Sequence, residues 1–261
     1  MSEYQTLLYE KKGRSIRITL NRPDKRNALS PEVLSELDQA FQRADKDSEA
    51  CVVVLTGAGD KAFCAGADLG GFAEASGLLE KYEAQGLFPR LFRTMEDLSK
   101  PTLAAVNGTC VAGGFGLMMA CDLAIAKESA KLGTPEIARG LFPYMISHFI
   151  LRNVPRRRAM EIMLLGELFS AKDAETWGVL NRVVSDADFN TTVEAWTEKI
   201  ASYSPAVLRL GRKALIRQAG MPLGGALEYL QGLLTVNTMT EDAMEGIAAF
   251  FEKRPPVWKG K

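Results

Sequence analysis

An α/β layered architecture is the fold class this 261-residue sequence predicts. Strand-like and helix-like segments alternate up to about residue 185, one strand-like run is apolar on both faces, and the remainder is helical. With 47% hydrophobic and 25% charged residues, the chain has the apolar content of a packed globular protein and is not a disordered one.

The elements follow in order. Residues 6–10 and Ser15–Leu20 alternate as strands do, with Ile16, Ile18 and Leu20 on one face, and Lys11-Lys12-Gly13 between them suits a hairpin turn. Pro23 ends the second strand because it cannot donate to a ladder. A helix starts next: Ser30 is its N-cap, Pro31 its first residue, Leu29 staples to Leu34, and Val33, Leu34, Leu37 and Phe41 form the apolar stripe. Cys51-Val52-Val53-Val54-Leu55-Thr56 is apolar without alternation, as a strand buried on both faces of a parallel sheet must be. Further on, helix is expected over residues 87–98, strand over Thr102–Val106, a short helix after Gly113, and strands over residues 123–126 and 179–184. Residues 187–202, 205–219, 222–238 and 241–253 all carry helical periodicity with no strand between them. Their apolar faces are expected to cover the core or a second subunit.

Composition removes several functions. Thirty-two basic side chains balance thirty-two acidic ones, so there is no general field for nucleic acid. No apolar stretch is long enough for a membrane span and no targeting signal is visible, which points to a soluble, cytoplasmic protein. Cys51, Cys64, Cys110 and Cys121 form no paired motif and read as reduced core residues, and one histidine leaves too few ligands for zinc. His148 itself reads as a core or interface residue. The run Arg156-Arg157-Arg158 reads as a solvated helix end.

Three segments could carry chemistry. Ala105-Val106-Asn107-Gly108-Thr109-Cys110-Val111-Ala112-Gly113-Gly114-Phe115-Gly116 is a strand, a turn and a glycine-rich helix start. Its unpaired N–H groups suit an anion or a developing oxyanion, and its small residues equally suit close helix packing. It matches neither the dinucleotide fingerprint nor a phosphate loop. Ala65-Gly66-Ala67 is a second small-residue turn after a strand, a place where α/β sheets take ligands. Cys64 beside it reads as structural, since no histidine and carboxylate accompany it. In Gly133-Thr134-Pro135-Glu136-Ile137 the carboxylate lies among apolar neighbours, either exposed by the turn or held in a cleft that raises its proton affinity.

Jointly, these segments resemble the crotonase (enoyl-CoA hydratase/isomerase) superfamily over nearly the whole chain. Asn21-Arg22-Pro23 with Asn27-Ala28-Leu29 is similar to the family's CoA-binding first loop. Ala62-Phe63-Cys64-Ala65-Gly66-Ala67-Asp68-Leu69 resembles its first oxyanion segment, and Ala104-Ala105-Val106-Asn107-Gly108 through Ala120-Cys121-Asp122 its second. The tail Phe250-Phe251-Glu252-Lys253-Arg254-Pro255-Pro256-Val257-Trp258-Lys259-Gly260 matches a common family ending.

The resemblance implies a spiral of ββα repeats over residues 1–186 and a helical C-terminal region, 187–261, that builds homotrimers or hexamers. It implies an acyl-CoA substrate, with CoA as part of the substrate and no metal or redox cofactor. The backbone N–H groups of Ala67 and Gly113 would hold the thioester oxygen, and Glu136 would be the acid/base. Lys25, Arg26 and Ala28 would meet the CoA adenine and phosphates, while Ala65, Asp68, Leu69, Gly114, Gly116 and Tyr144 would line the substrate. Residues 71–90, with Gly71, Gly77 and Gly86, would shape the acyl pocket.

One departure stands out. Family hydratases usually carry a second glutamate three residues after the oxyanion glycine, where this chain has Gly116. Addition of water wants two groups, so one carboxylate favours isomerase-type proton transfer. Gly116 with Gly140-Leu141-Phe142-Pro143 resembles the family's 3-hydroxyisobutyryl-CoA hydrolases, and Tyr144 resembles a family methylmalonyl-CoA decarboxylase. Thioester hydrolysis, decarboxylation, or CoA binding without turnover are the alternatives.

Overall fold

The computed structural model describes residues 4–70 and 77–261. β1 (Leu7–Lys12) and β2 (Ser15–Leu20) make an antiparallel hairpin that turns at Gly13, whose φ of +56° suits glycine. Helix α1 (Pro31–Lys46) follows, its Val33 N–H donating to the Ser30 hydroxyl at 3.3 Å. From there each ββα turn lays one strand in each of two sheets. β3 (Val52–Gly57), β5 (Thr102–Val106) and β7 (Leu123–Lys127) extend the large sheet, β1-β2-β3-β5-β7-β10. β4 (Ala62–Cys64), β6 (Thr109–Val111) and β8 (Lys131–Gly133) build the small one, β4-β6-β8-β9. α2 (Leu78–Gln85) and α3 (Leu87–Asp97) close the turn begun by β3, and α4 (Gly113–Met119) closes the next. α5 (Tyr144–Asn153), α6 (Arg156–Leu165), β9 (Phe169–Ser170), α7 (Ala171–Thr176) and β10 (Arg182–Val184) complete this part. The architecture is the expected α/β spiral of ββα units.

β3 pairs in parallel with β2 on one side and β5 on the other. Val53 and Leu55 enter the main core with Leu34, Leu37 and Phe41 of α1. Val54 faces the other way, with Leu103, Ala105 and Ile125, under Phe189 and Val193 of α8 (Phe189–Ala201). That two-sided burial is why the run shows no alternation, and each such side chain contributes roughly 1.5–3 kcal/mol. Helix α8 thus belongs to the core. α9 (Pro205–Gln218), α10 (Leu223–Thr238) and α11 (Glu241–Glu252) instead leave Leu215, Leu223, Leu227, Phe250 and Phe251 exposed.

Two expectations are corrected. Residues 179–181 do not extend β10: the Val179 and Leu180 N–H groups donate to the Ala174 carbonyl and finish α7, while both side chains stay buried. His148 is exposed on α5, its ring edge-on to Phe149, so of the two places expected for it, core or interface, the core of this chain is ruled out. Among the described residues no helix is long and apolar enough to cross a membrane.

The loop joining the two sheets is fixed by Asn107. Its side-chain amide donates to the carbonyls of Gly57 (2.8 Å) and Gly59 (2.7 Å), and its Oδ1 accepts from the Gly57 N–H at 3.3 Å. Asn107 and Gly57 are buried, while Gly59 lies at the surface. Asn107→Ala strands those groups and is expected to cost about 2–4 kcal/mol in urea unfolding, at an unchanged m-value.

Candidate active site

Strands β4, β6 and β8 lie side by side and parallel, so their C-terminal ends share one edge of the small sheet. Ala67 comes three residues after β4, Gly113 two after β6, and Glu136 three after β8. Residues far apart in sequence meet there because each ββα turn ends at the same edge.

Ala67 is held by a parallel bridge to Leu29. The Leu29 N–H donates to the Gly66 carbonyl (2.8 Å) and the Asp68 N–H to the Leu29 carbonyl (2.9 Å). In extended chain, alternate N–H groups point to opposite sides, so the Ala67 N–H is turned away from Leu29. Gly113 opens α4, whose first N–H groups have no intrahelical acceptor. Among the described residues neither N–H meets an acceptor. The two approach closely: a Cβ placed on Gly113 would lie 3.6 Å from the Ala67 nitrogen. Gly66 permits this approach, since its φ is +90° and a Cβ there would stand 2.6 Å from the Ala112 Cβ. Ala112 is itself left-handed at φ 52°, and its N–H donates to the Gly133 carbonyl at 3.0 Å, which ties β6 to the strand that leads to Glu136.

Glu136 sits in a short 3-10 turn, Pro135–Arg139, anchored by the buried Thr134 hydroxyl donating to the Ile162 carbonyl at 2.8 Å. Its carboxylate is the held rather than the exposed one: Oε2 is buried and meets no partner among the described residues. Burial pushes the carboxyl's pKa above the ordinary range, opposed by its own backbone N–H and by the Arg139 charge.

The remaining expected residues have the following surroundings. Ala65 donates its N–H to the Arg26 carbonyl at 3.0 Å, and Asp68 accepts an ion pair from Arg22 at 3.0 Å, while Arg22 also donates to the Ala28 carbonyl at 2.8 Å. The loop carrying Lys25, Arg26 and Ala28 is thereby fastened to the turn of residues 65–68, with the Lys25 and Arg26 side chains exposed. Leu69 and Tyr144 are open to solvent, and the Tyr144 ring lies 5.2 Å from that of Phe142. Gly114 faces inward: a Cβ there would meet the Cys64 carbonyl oxygen at 2.4 Å, so this glycine packs α4 on β4. Cys64 is structural, its thiol pushed up to about 12 by burial. At Gly116 a Cβ would stand 2.0 Å from Ile146 Cγ2 and 3.4 Å from Phe92. Residues 71–76 of the expected acyl wall, Gly71 among them, lie outside the described residues; Gly77 and Gly86 flank α2.

The family model for enoyl-CoA hydratase/isomerase matches residues 10–261. The chain belongs to that family, the crotonases. The short-chain-enoyl-CoA hydratase of Clostridium acetobutylicum is 33% identical, covering 97% of each chain. The (E)-benzylidenesuccinyl-CoA hydratase of Thauera aromatica is 34% identical, over 93% of this chain and 94% of that one. The crystal structure of an enoyl-CoA hydratase from Mycobacterium smegmatis superposes with a TM-score of 0.94 at 33% identity, over 97% and 99% of the two chains.

Within this crotonase the sequence reading passed over three side chains. Phe88 lies 3.3 Å from the place of a Cβ on Gly113, beside Leu29 of the expected CoA loop at 3.2 Å, and Phe92 and Ile146 crowd Gly116. The only signal of these three in the sequence is helical periodicity, which cannot tell a core residue from a site wall.

The Glu136 carboxyl also leaves a mark on stability. Its folded pKa is raised, so the neutral acid is favoured on folding, and stability present below the ordinary carboxylate pKa is lost as pH rises through the folded value. Glu136→Gln is therefore expected to melt above wild type at pH 7, with the gap closing below about pH 4.

Proposed function

We propose that this crotonase acts on an acyl-CoA thioester by isomerase-type proton transfer through an enolate. The observation that carries the reading is a buried, unpartnered carboxylate oxygen on the sheet edge that also bears two unclaimed main-chain donors. The thioester oxygen accepts from the N–H groups of Ala67 and Gly113, and each such donor is worth roughly 3 kcal/mol to the charge that develops there. Glu136 removes a proton from C2 of a 3-enoyl-CoA. The electron pair spreads over C2, C4 and the thioester oxygen, and the same carboxyl returns the proton to C4, leaving a 2-enoyl-CoA. A raised pKa suits a group that takes and gives back one proton.

Transfer between carbons is favoured over water addition by the surroundings of Gly116. Ile146 and Phe92 fill the space that a second polar side chain would need, and neither orients a water. CoA enters as part of the substrate. Its adenine and phosphates run along Lys25, Arg26 and Ala28, where two exposed cations suit phosphate, and Tyr144 borders the mouth. Assembly into homotrimers, or hexamers formed from them, would cover the leucines and phenylalanines that α9, α10 and α11 leave exposed.

Purified protein given a 3-enoyl-CoA should raise the 2-enoyl thioester absorbance, and faster than it consumes crotonyl-CoA. Glu136→Gln should lose about 10²–10⁴-fold in rate while still binding CoA esters; an unchanged rate would remove Glu136 from the chemistry. Gly113→Ala puts a methyl beside the Ala67 nitrogen and should cost about 10²-fold in kcat. Light scattering should give the mass of three or six chains.

A further inference from the structure

Among the buried charged side chains that the proposed chemistry does not use is Arg212, on α9. It is 7% exposed, and its guanidinium serves acceptors on two other elements. Nε donates to Asp122 Oδ2 at 2.7 Å, at the start of β7. Nη2 donates to the Met95 carbonyl at 2.9 Å, and Nη1 to the carbonyls of Glu96, at 3.0 Å, and Leu98. Those carbonyls end α3, and helix ends leave such acceptors without intrahelical partners. A planar, five-donor fork meets several at once, as an ammonium could not.

The opposite end of α3 forms the roof over α4. Phe88 and Phe92, one helical turn apart, face Gly113 and Gly116 at 3.3 and 3.4 Å from where Cβ atoms would stand. Midway, α3 is tied to α1 through Asp38, which accepts from Thr94 Oγ1 at 2.5 Å and forms an ion pair with Arg90, Nε to Oδ2 3.1 Å. The roof is therefore fixed by two polar anchors on one stiff helix, and one anchor reaches out from the C-terminal helices.

We propose that Arg212 is a positioning residue: by holding the C-terminal end of α3, it sets the phenylalanine wall against which the acyl group packs. The role rests on the acyl-CoA reading above. It predicts that Arg212 matters for the acyl part of the ligand and not for CoA.

The test compares wild type with Arg212→Met and Arg212→Lys. Lysine keeps the charge but cannot serve all four acceptors, and it supplies a folded variant should methionine fail. Calorimetry with butyryl-CoA and with free CoA gives an affinity ratio, and amide exchange reports on residues 87–98. Exchange in α3 should quicken, and the butyryl-CoA to CoA ratio should fall about 10-fold, an effect worth roughly 1.4 kcal/mol. KM for a 3-enoyl-CoA should rise by a similar factor, with the pH profile unmoved. Equal losses for both ligands would make Arg212 merely structural, and an unchanged ratio or unchanged α3 exchange would equally overturn the proposal. If wild type turns over nothing, the enolate reading falls, while the binding ratio still decides the role of Arg212.

Discussion

The close approach of two small-residue turns, one after β4 and one after β6, is the constraint on which the rest of the site depends. Gly66 and Ala112 meet where no extra methyl fits, and that contact lets the two turns come so close that a Cβ on Gly113 would lie 3.6 Å from the Ala67 nitrogen. The approach has a cost. Ala112 holds φ 52° and ψ −128°, a region sparsely occupied by residues with a β-carbon, and such a conformation typically costs of order 1–3 kcal/mol. The surrounding pairings of β4, β6 and β8 and the Ala112 N–H to Gly133 carbonyl bond over-determine the turn and offset it. Strain thus sits where the chain bends from the small sheet into α4, and the same bend exposes the Gly113 N–H.

Much of the large sheet was legible in the sequence, because its strands obey rules that a single chain displays. The unalternating Val52-Val53-Val54-Leu55 run pointed to two-sided burial, and β3 proves central, parallel to both neighbours. Ser30-Pro31 marked the start of α1, and Thr102–Val106 matched β5 residue for residue. The small sheet was not legible from the residues. β4, β6 and β8 have three residues each, too few for a period, and their pairing is set by topology rather than pattern. Helices α5, α6 and α7 were missed for a related reason: they are short, and their apolar faces pack on partners distant in sequence.

The site was legible unevenly. Residue types alone left Gly113 divided between ligand contact and packing; the fold packs Gly114 on Cys64, and brings Gly113 near Leu29, Phe88 and the Ala67 nitrogen. Glu136 was divided between exposure and a cleft, and only coordinates show an oxygen that is buried and unpaired. Phe88, Phe92 and Ile146 carried no signal beyond periodicity. Arg212 carried none at all, since a lone arginine in an amphipathic helix reads as solvated until its acceptors are known.

The proposed preference for proton transfer over hydration is a property of three packed elements and not of one residue. Gly116 on α4 leaves no room because α5 brings Ile146 to within a bond length or so of where its Cβ would stand, and α3 brings Phe92 to its other side. Inserting a carboxylate there would first require displacing the Ile146 side chain, which is 3% exposed, at a packing cost of typically 1–3 kcal/mol, and then desolvating the new charge between Ile146 and Phe92. A route back to two-carboxylate chemistry therefore has to open α5 before it changes Gly116, and the order of those steps is dictated by packing.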